Sequence, residues 1–149
     1  MNFNIQIAGL SNLLVKLVEA PSTAAPILQR ALSASQAVLA NHTTRDTVPW
    51  KTGFLMQSFR GELTTGMLRW FPTASYARFV EYGTAPHIIR PKNAQALYWD
   101  GAQHPVKLVH HPGTKANPFI ERIIAASQDE IDQTFLTALQ QIISQIAAI

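Results

Sequence analysis

The chain has 149 residues, 47% of them apolar and 14% charged, with 12 basic residues, 9 acidic residues and no cysteine. That length and apolar content suit one core-bearing domain and argue against a disordered chain, while the missing thiols exclude a disulfide scaffold, a cysteine-based zinc site and a thiol nucleophile. The charged share lies well below the usual level of about a quarter, which suggests that a partner covers part of the outer surface.

The first residues, Asn2–Ile7, alternate, with Phe3, Ile5 and Ile7 on one side; this predicts a short strand or extended arm. Leu10, Leu13, Leu14, Leu17 and Val18 recur at helical spacing until Pro21 interrupts them. A second helix is expected to start near Ser22 or Thr23, with Pro26 tolerated in its first turn. It runs through Ile27, Leu28, Ala31, Leu32, Ser35, Val38 and Leu39, in an alanine-rich stretch that favours helix and close packing. The polar segment from His42 to Pro49 reads as a loop.

The middle of the chain is strand-like and broken by turns. Phe54–Leu63 and Met67–Phe71 flank Thr64-Thr65-Gly66, which predicts a hairpin. Tyr76–Tyr82 reads as a short helix closed by Gly83. His87–Ile89, Ala96–Trp99 and Pro105–Val109 read as further short strands, and Pro112-Gly113 as a turn. Pro118 suits a first helical turn. Ile120, Ile124, Ile131, Phe135, Leu139, Ile142 and Ile146 then follow at helical spacings, which predicts one amphipathic helix of about thirty residues and about 45 Å. The expected architecture is α+β: a small antiparallel β-sheet flanked by N-terminal helices and a long C-terminal helix, in one domain over residues 1–149.

Charge is uneven along the chain. Residues 45–115 hold nine basic and four acidic residues, a net of +5, and residues 116–149 hold Arg122 against Glu121, Asp129, Glu130 and Asp132, a net of −3. Such a split reads first as ordinary surface scatter; it also fits a surface that meets an acidic patch on a neighbouring copy. Weak attraction to nucleic acid is the lesser expectation, because the basic residues come singly. No apolar run approaches the roughly 20 residues of a membrane span. Met1–Ala8 lacks a basic stretch ahead of an apolar core, so no secretory signal is expected.

Chemistry-bearing constellations are sparse. His104, His110 and His111, with Asp100, lack a zinc-binding spacing, and adjacent histidines on a strand point to opposite faces. They read as turn and surface residues, and no metal or cofactor is expected. Ser33, Ser35, Ser58 and Ser75 lack a nucleophile elbow, and no phosphate-binding glycine loop occurs. Glu81 lies in an apolar stretch near Arg78, where a carboxylate is normally paired; an Arg78–Glu81 salt bridge is expected and catalysis is not. Phe54, Phe59, Trp70, Phe71, Tyr76, Phe79 and Tyr82 have the makings of a base-stacking surface beside Arg60, Arg69 and Arg78, but read first as sheet core.

Several runs carry a resemblance. They are Tyr76-Ala77-Arg78-Phe79-Val80-Glu81-Tyr82-Gly83-Thr84, then Pro86-His87-Ile88-Ile89-Arg90-Pro91, Leu97-Tyr98-Trp99, and His111-Pro112-Gly113-Thr114 leading to Asn117-Pro118-Phe119-Ile120. Upstream, Thr52-Gly53 with Leu55 and Ser58 joins the set. Together, over residues 50–124, they resemble the neck and tail-completion proteins of tailed bacteriophages and prophages, a group that includes minor tail and head–tail joining proteins. The resemblance implies a non-catalytic virion part that assembles in the bacterial host cytoplasm. It implies a homo-oligomeric ring, commonly of six copies, at the head–tail junction or upper end of the tail. Head–tail adaptor, tail-tube or tail-terminator proteins would be its partners, and DNA would pass through the ring without specific contact. Tyr76, Phe79, Tyr82, Gly83 and Thr84 would form the family's helix-to-turn segment, His87 and Pro91 would mark the following strand, and Trp99 would lie on the next. His111, Pro112 and Gly113 would shape the loop before Pro118, Phe119 and the long helix. The neighbouring expectations are a tail-terminator protein capping the tail tube and, from another class, a small nucleic-acid-binding module.

Overall fold

The computed structural model describes residues 5–6 and 24–147; the helix expected over Leu10–Val18 lies outside them. The elements in order are β1 (Ile5–Gln6), α1 (Ala24–His42), α2 (Phe54–Gln57), β2 (Phe59–Thr64), β3 (Met67–Pro72), α3 (Ala77–Tyr82), β4 (His87–Ile89), β5 (Val109–His111) and α4 (Phe119–Ala147). This is the α+β arrangement expected, with two small antiparallel sheets and a C-terminal helix of 29 residues.

The apolar spacing of α1 buries Ile27, Leu28, Ala31, Leu32 and Leu39 along one side. Buried Ser35 turns its hydroxyl back to the Ala31 carbonyl at 2.9 Å, which keeps this side free of unpaired polar groups. Threonines satisfy carbonyls at the helix's C-terminal end: Thr43 Oγ1 donates to Leu39 at 2.7 Å and Thr47 Oγ1 to His42 at 2.6 Å.

Helices α1 and α4 run antiparallel along each other. The start of α1 (Ala24, Ile27, Leu28, Ala31) shares a cluster with Ala138 and Ile142, whereas Leu32 and Leu39 share one with Phe119 and Ile123. The long helix therefore packs chiefly on α1, and the three-stranded sheet closes the core at its N-terminal end.

In that sheet β3 is central, in the order β1-β3-β2. The β2–β3 hairpin runs in register from Phe59↔Pro72 to Thr64↔Met67; of the expected Thr64-Thr65-Gly66 connection, Thr64 belongs to β2 and Thr65-Gly66 form the turn. Strand β3 alternates, burying Leu68, Trp70 and Pro72 on one face. Phe59 stacks on Trp70 at 5.8 Å between ring centroids and meets Phe119 edge-on at 6.1 Å. The Trp70 indole N–H is satisfied by Thr43 Oγ1 at 3.0 Å, so this aromatic centre ties sheet to both long helices without an orphaned donor.

Three expectations are corrected. Phe54–Gln57 is a short helix and not the start of a strand, because Gly53 at φ 81 turns the chain and Ser58 bonds back to Leu55. Ala96–Trp99 and Pro105–Val109 are not strands; they meet at a single bridge, Leu97↔Val106, and the paired strand lies later, at Val109–His111. Pro91 follows β4 instead of lying on it, as its missing N–H would favour.

Candidate assembly surface

The residues that carry the resemblance fall into two sets with different physical roles. The first set is a joint between α3, the β4–β5 ribbon and the N-terminus of α4. Glu81 is buried, and its Oε2 accepts the backbone N–H of Ile120 at 3.1 Å. A carboxylate there satisfies one of the otherwise unpaired N–H groups of the first helical turn and complements the helix dipole. One residue earlier, the Val80 carbonyl accepts the Asn117 N–H at 2.9 Å. Arg122 fastens the other side, donating from Nε to the Thr47 carbonyl at 3.0 Å and from Nη2 to Asn117 Oδ1 at 2.5 Å. The expected Arg78–Glu81 salt bridge does not form. Arg78 lies over the Phe79 ring at 4.5 Å instead, and the partner of Glu81 comes from 39 residues downstream.

This arrangement makes a test. Glu81→Ala is expected to lower stability by about 1–2 kcal/mol, the range for losing a helix-capping acceptor, and Glu81→Gln by less because it still accepts the bond. Arg78→Ala should stay within about 0.5 kcal/mol, as an exposed side chain away from the joint. Urea denaturation of the three variants checks the ranking; equal losses for Glu81→Ala and Arg78→Ala would restore the salt bridge.

Directly after Glu81 and Tyr82, the chain passes through Gly83 at φ 72 into Thr84, which pairs with Thr114. Both backbone bonds of that bridge are made, at 3.0 and 3.1 Å, and the two hydroxyls lie 3.0 Å apart. His87 and His111 then face each other at the base of the ribbon with rings stacked at 4.9 Å. His87 Nδ1 donates to the Ala85 carbonyl at 2.9 Å, and His111 Nδ1 accepts the Gly113 N–H at 3.0 Å. Each ring is thereby fixed in orientation by a neighbouring backbone group. His110 and His104 stay exposed, and among the described residues no three His, Asp or Glu side chains form a metal-binding group. Pro112 and Gly113 turn the chain back, Pro118 precedes α4, and Phe119 opens that helix fully buried.

The second set points outward. Tyr76, Phe79 and Tyr82 recur every three residues, so they share one side of α3 while Ala77 and Glu81, four apart, face the core. The three aromatics are 40%, 44% and 66% exposed. Phe54 is exposed too, with its ring 6.3 Å from that of Tyr76. Trp50, beneath Arg45 at 4.0 Å, continues this surface along a cleft of about 300 Å³ that Leu55, Tyr76 and Val80 also line. The expectation that Phe54, Tyr76, Phe79 and Tyr82 fill the sheet core is thus corrected: among the seven aromatics considered, Phe59 and Trp70 do so.

Beyond the joint, none of residues 82–118 is buried. Trp99 and Tyr98 stand exposed at the far end of this segment, and Ile88 on the ribbon itself. Sequence reasoning missed this arm without buried residues; its signal was a stretch of short strand patterns. Comparison with protein-family models, with curated proteins and with solved structures finds no match.

Proposed function

We propose that this chain is a structural subunit of a tailed phage or prophage that forms a ring at the head–tail junction or upper end of the tail. The observation that carries the reading is the outward row of Tyr76, Phe79 and Tyr82. In the run that resembles the neck and tail-completion proteins, the small and acidic residues build the joint and the aromatic ones stand in solvent. A contiguous exposed aromatic surface marks an interaction site. The exposed arm beyond Gly83 enlarges the surface on offer, and the low charged share of the chain fits a molecule largely covered by neighbours.

The experiment is electron microscopy of phage particles produced from a genome that encodes this chain, with the chain carrying an antibody-detectable tag. The expected result is label and ring-shaped density between capsid and tail. A position at the capsid side supports a neck or tail-completion subunit, and one capping the tail tube makes it a tail terminator. Complete particles that lack the chain would overturn the reading.

A further inference from the structure

We infer that the β4–β5 arm of one copy docks along the outer face of α4 of a second copy of this chain. The inference rests on the ring reading above and names the seam between its subunits. The first observation is that the arm cannot be self-sufficient. Residues 84–114 pair with themselves through Thr84↔Thr114, β4–β5 and Leu97↔Val106, and none of them is buried. A two-stranded ribbon without a covered face is at best marginally stable in water. Yet Ile88, Tyr98 and Trp99 are each half or more exposed on it.

The second observation selects the occupant. Residues 84–115 contain Arg90, Lys92, Lys107 and Lys115 against Asp100, a net of +3. Helix α4 contains Glu121, Asp129, Glu130 and Asp132 against Arg122, a net of −3. All four acids are exposed, but Glu130 meets His42 of α1 at 2.8 Å, which leaves Glu121, Asp129 and Asp132 for the outer side. Glu121 and Asp132 are eleven residues apart, three helical turns, so they share one side, and Asp129 lies one turn from Asp132. Exposed Ile143 continues that side toward the C-terminus and exposed Leu136 flanks it, supplying apolar contact for Tyr98 and Trp99. Equal and opposite charge with apolar groups on both sides is the complementarity of a protein seam. Because arm and helix are different surfaces, the contact is heterologous, the kind that closes rings.

The test compares the purified full-length chain with surface variants by light scattering and sedimentation, at low and high salt. The expected result is self-association that weakens as salt rises. The pairs Asp129→Lys with Asp132→Lys, and Lys92→Glu with Lys107→Glu, should each weaken association by about tenfold or more. Combining all four should restore it, which a merely structural role would not do. Circular dichroism of each variant confirms an unchanged fold. An oligomer indifferent to all four changes overturns the seam while leaving the ring reading intact. A chain that stays monomeric at millimolar concentration also overturns it, and particle microscopy still decides the neck position. Duplex DNA bound by the monomer through Lys92 and Lys107 would assign the arm to phosphate instead and overturn it likewise.

Discussion

Phe119→Ala is expected to be the most damaging single substitution at the joint, lowering stability by about 3–5 kcal/mol. Phe119 is fully buried at the first position of α4 and packs in one cluster with residues of α1, α2, β2 and β3. Its ring meets Phe59 edge-on, and Phe59 stacks on Trp70, so truncation leaves a cavity and removes one aromatic pair that adds about 0.5–1.5 kcal/mol beyond its area. Domains of this kind hold about 5–15 kcal/mol in all, and a chain of this length shifts its melting temperature by roughly 2–4 °C per kcal/mol. The melting temperature should therefore fall by roughly 6–20 °C. Phe119→Leu, which keeps much of the volume, should cost less. Tyr98→Ala, at a side chain 69% exposed, should stay within about 0.5 kcal/mol. Thermal denaturation followed by far-ultraviolet circular dichroism checks the order, and a Tyr98→Ala loss as large as that of Phe119→Ala would contradict this assignment of the core.

That contrast separates what the signature residues do. Phe119, Glu81, Gly83 and Gly113 build the joint, and their worth is conformational. Tyr76, Phe79, Tyr82 and Trp99 contribute little to the core and stand exposed. Glu81 lies beside Phe79 and Tyr82 in one short run of sequence because α3 is a single helix with two sides.

The long elements were legible because their patterns are periodic over many residues. Leu28, Leu32, Ser35 and Leu39 mark α1, Ile120, Ile131, Phe135 and Ile142 mark α4, though Ile124 of the same row is exposed and Ile123 is buried in its place, and the Thr64-Thr65-Gly66 connection marks the hairpin. Shorter features were not. Four residues, Phe54–Gln57, are too few to show a helical period. Arg78 and Glu81 sit at helix-pair spacing, so a local ion pair was the natural reading. The bond that forms instead reaches Ile120 and depends on tertiary structure that no local window contains. The aromatics were misplaced for a different reason: pattern reading assigns large apolar residues to the core, whereas the three-residue row of Tyr76, Phe79 and Tyr82 lies opposite the Ala77–Glu81 pair that is buried.

Gly83→Ala is expected to lower stability by about 3 kcal/mol and to release the arm from the body. Its dihedrals, φ 72 and ψ −173, lie in a region that side-chain-bearing residues hold only at a cost of about 1–3 kcal/mol. An added methyl would also overlap the Thr114 carbonyl oxygen and lie 2.7 Å from the Ala116 nitrogen. Those are backbone atoms, so relief requires the Thr84–Thr114 bridge to open. Gly113→Ala should repeat the effect from the opposite strand, since its methyl would overlap the Thr84 carbonyl oxygen. The bridge is the arm's innermost pairing, next to the Asn117–Val80 bond of the body, which gives the damage a location. Amide hydrogen exchange should speed up at Thr84, Thr114 and the β4–β5 ribbon while α1 and β3 keep most of their protection. The melting temperature should fall by roughly 6–12 °C. Gly101→Ala is the control: it too has positive φ but nothing within 4 Å of the added carbon, so it carries the backbone strain without the collision. If the joint orders the arm, Gly83→Ala should also weaken any self-association as much as the arm charge reversals do, and Gly101→Ala should not. Equal exchange behaviour in the two glycine variants would locate the arm's order in its own turn and not in the joint.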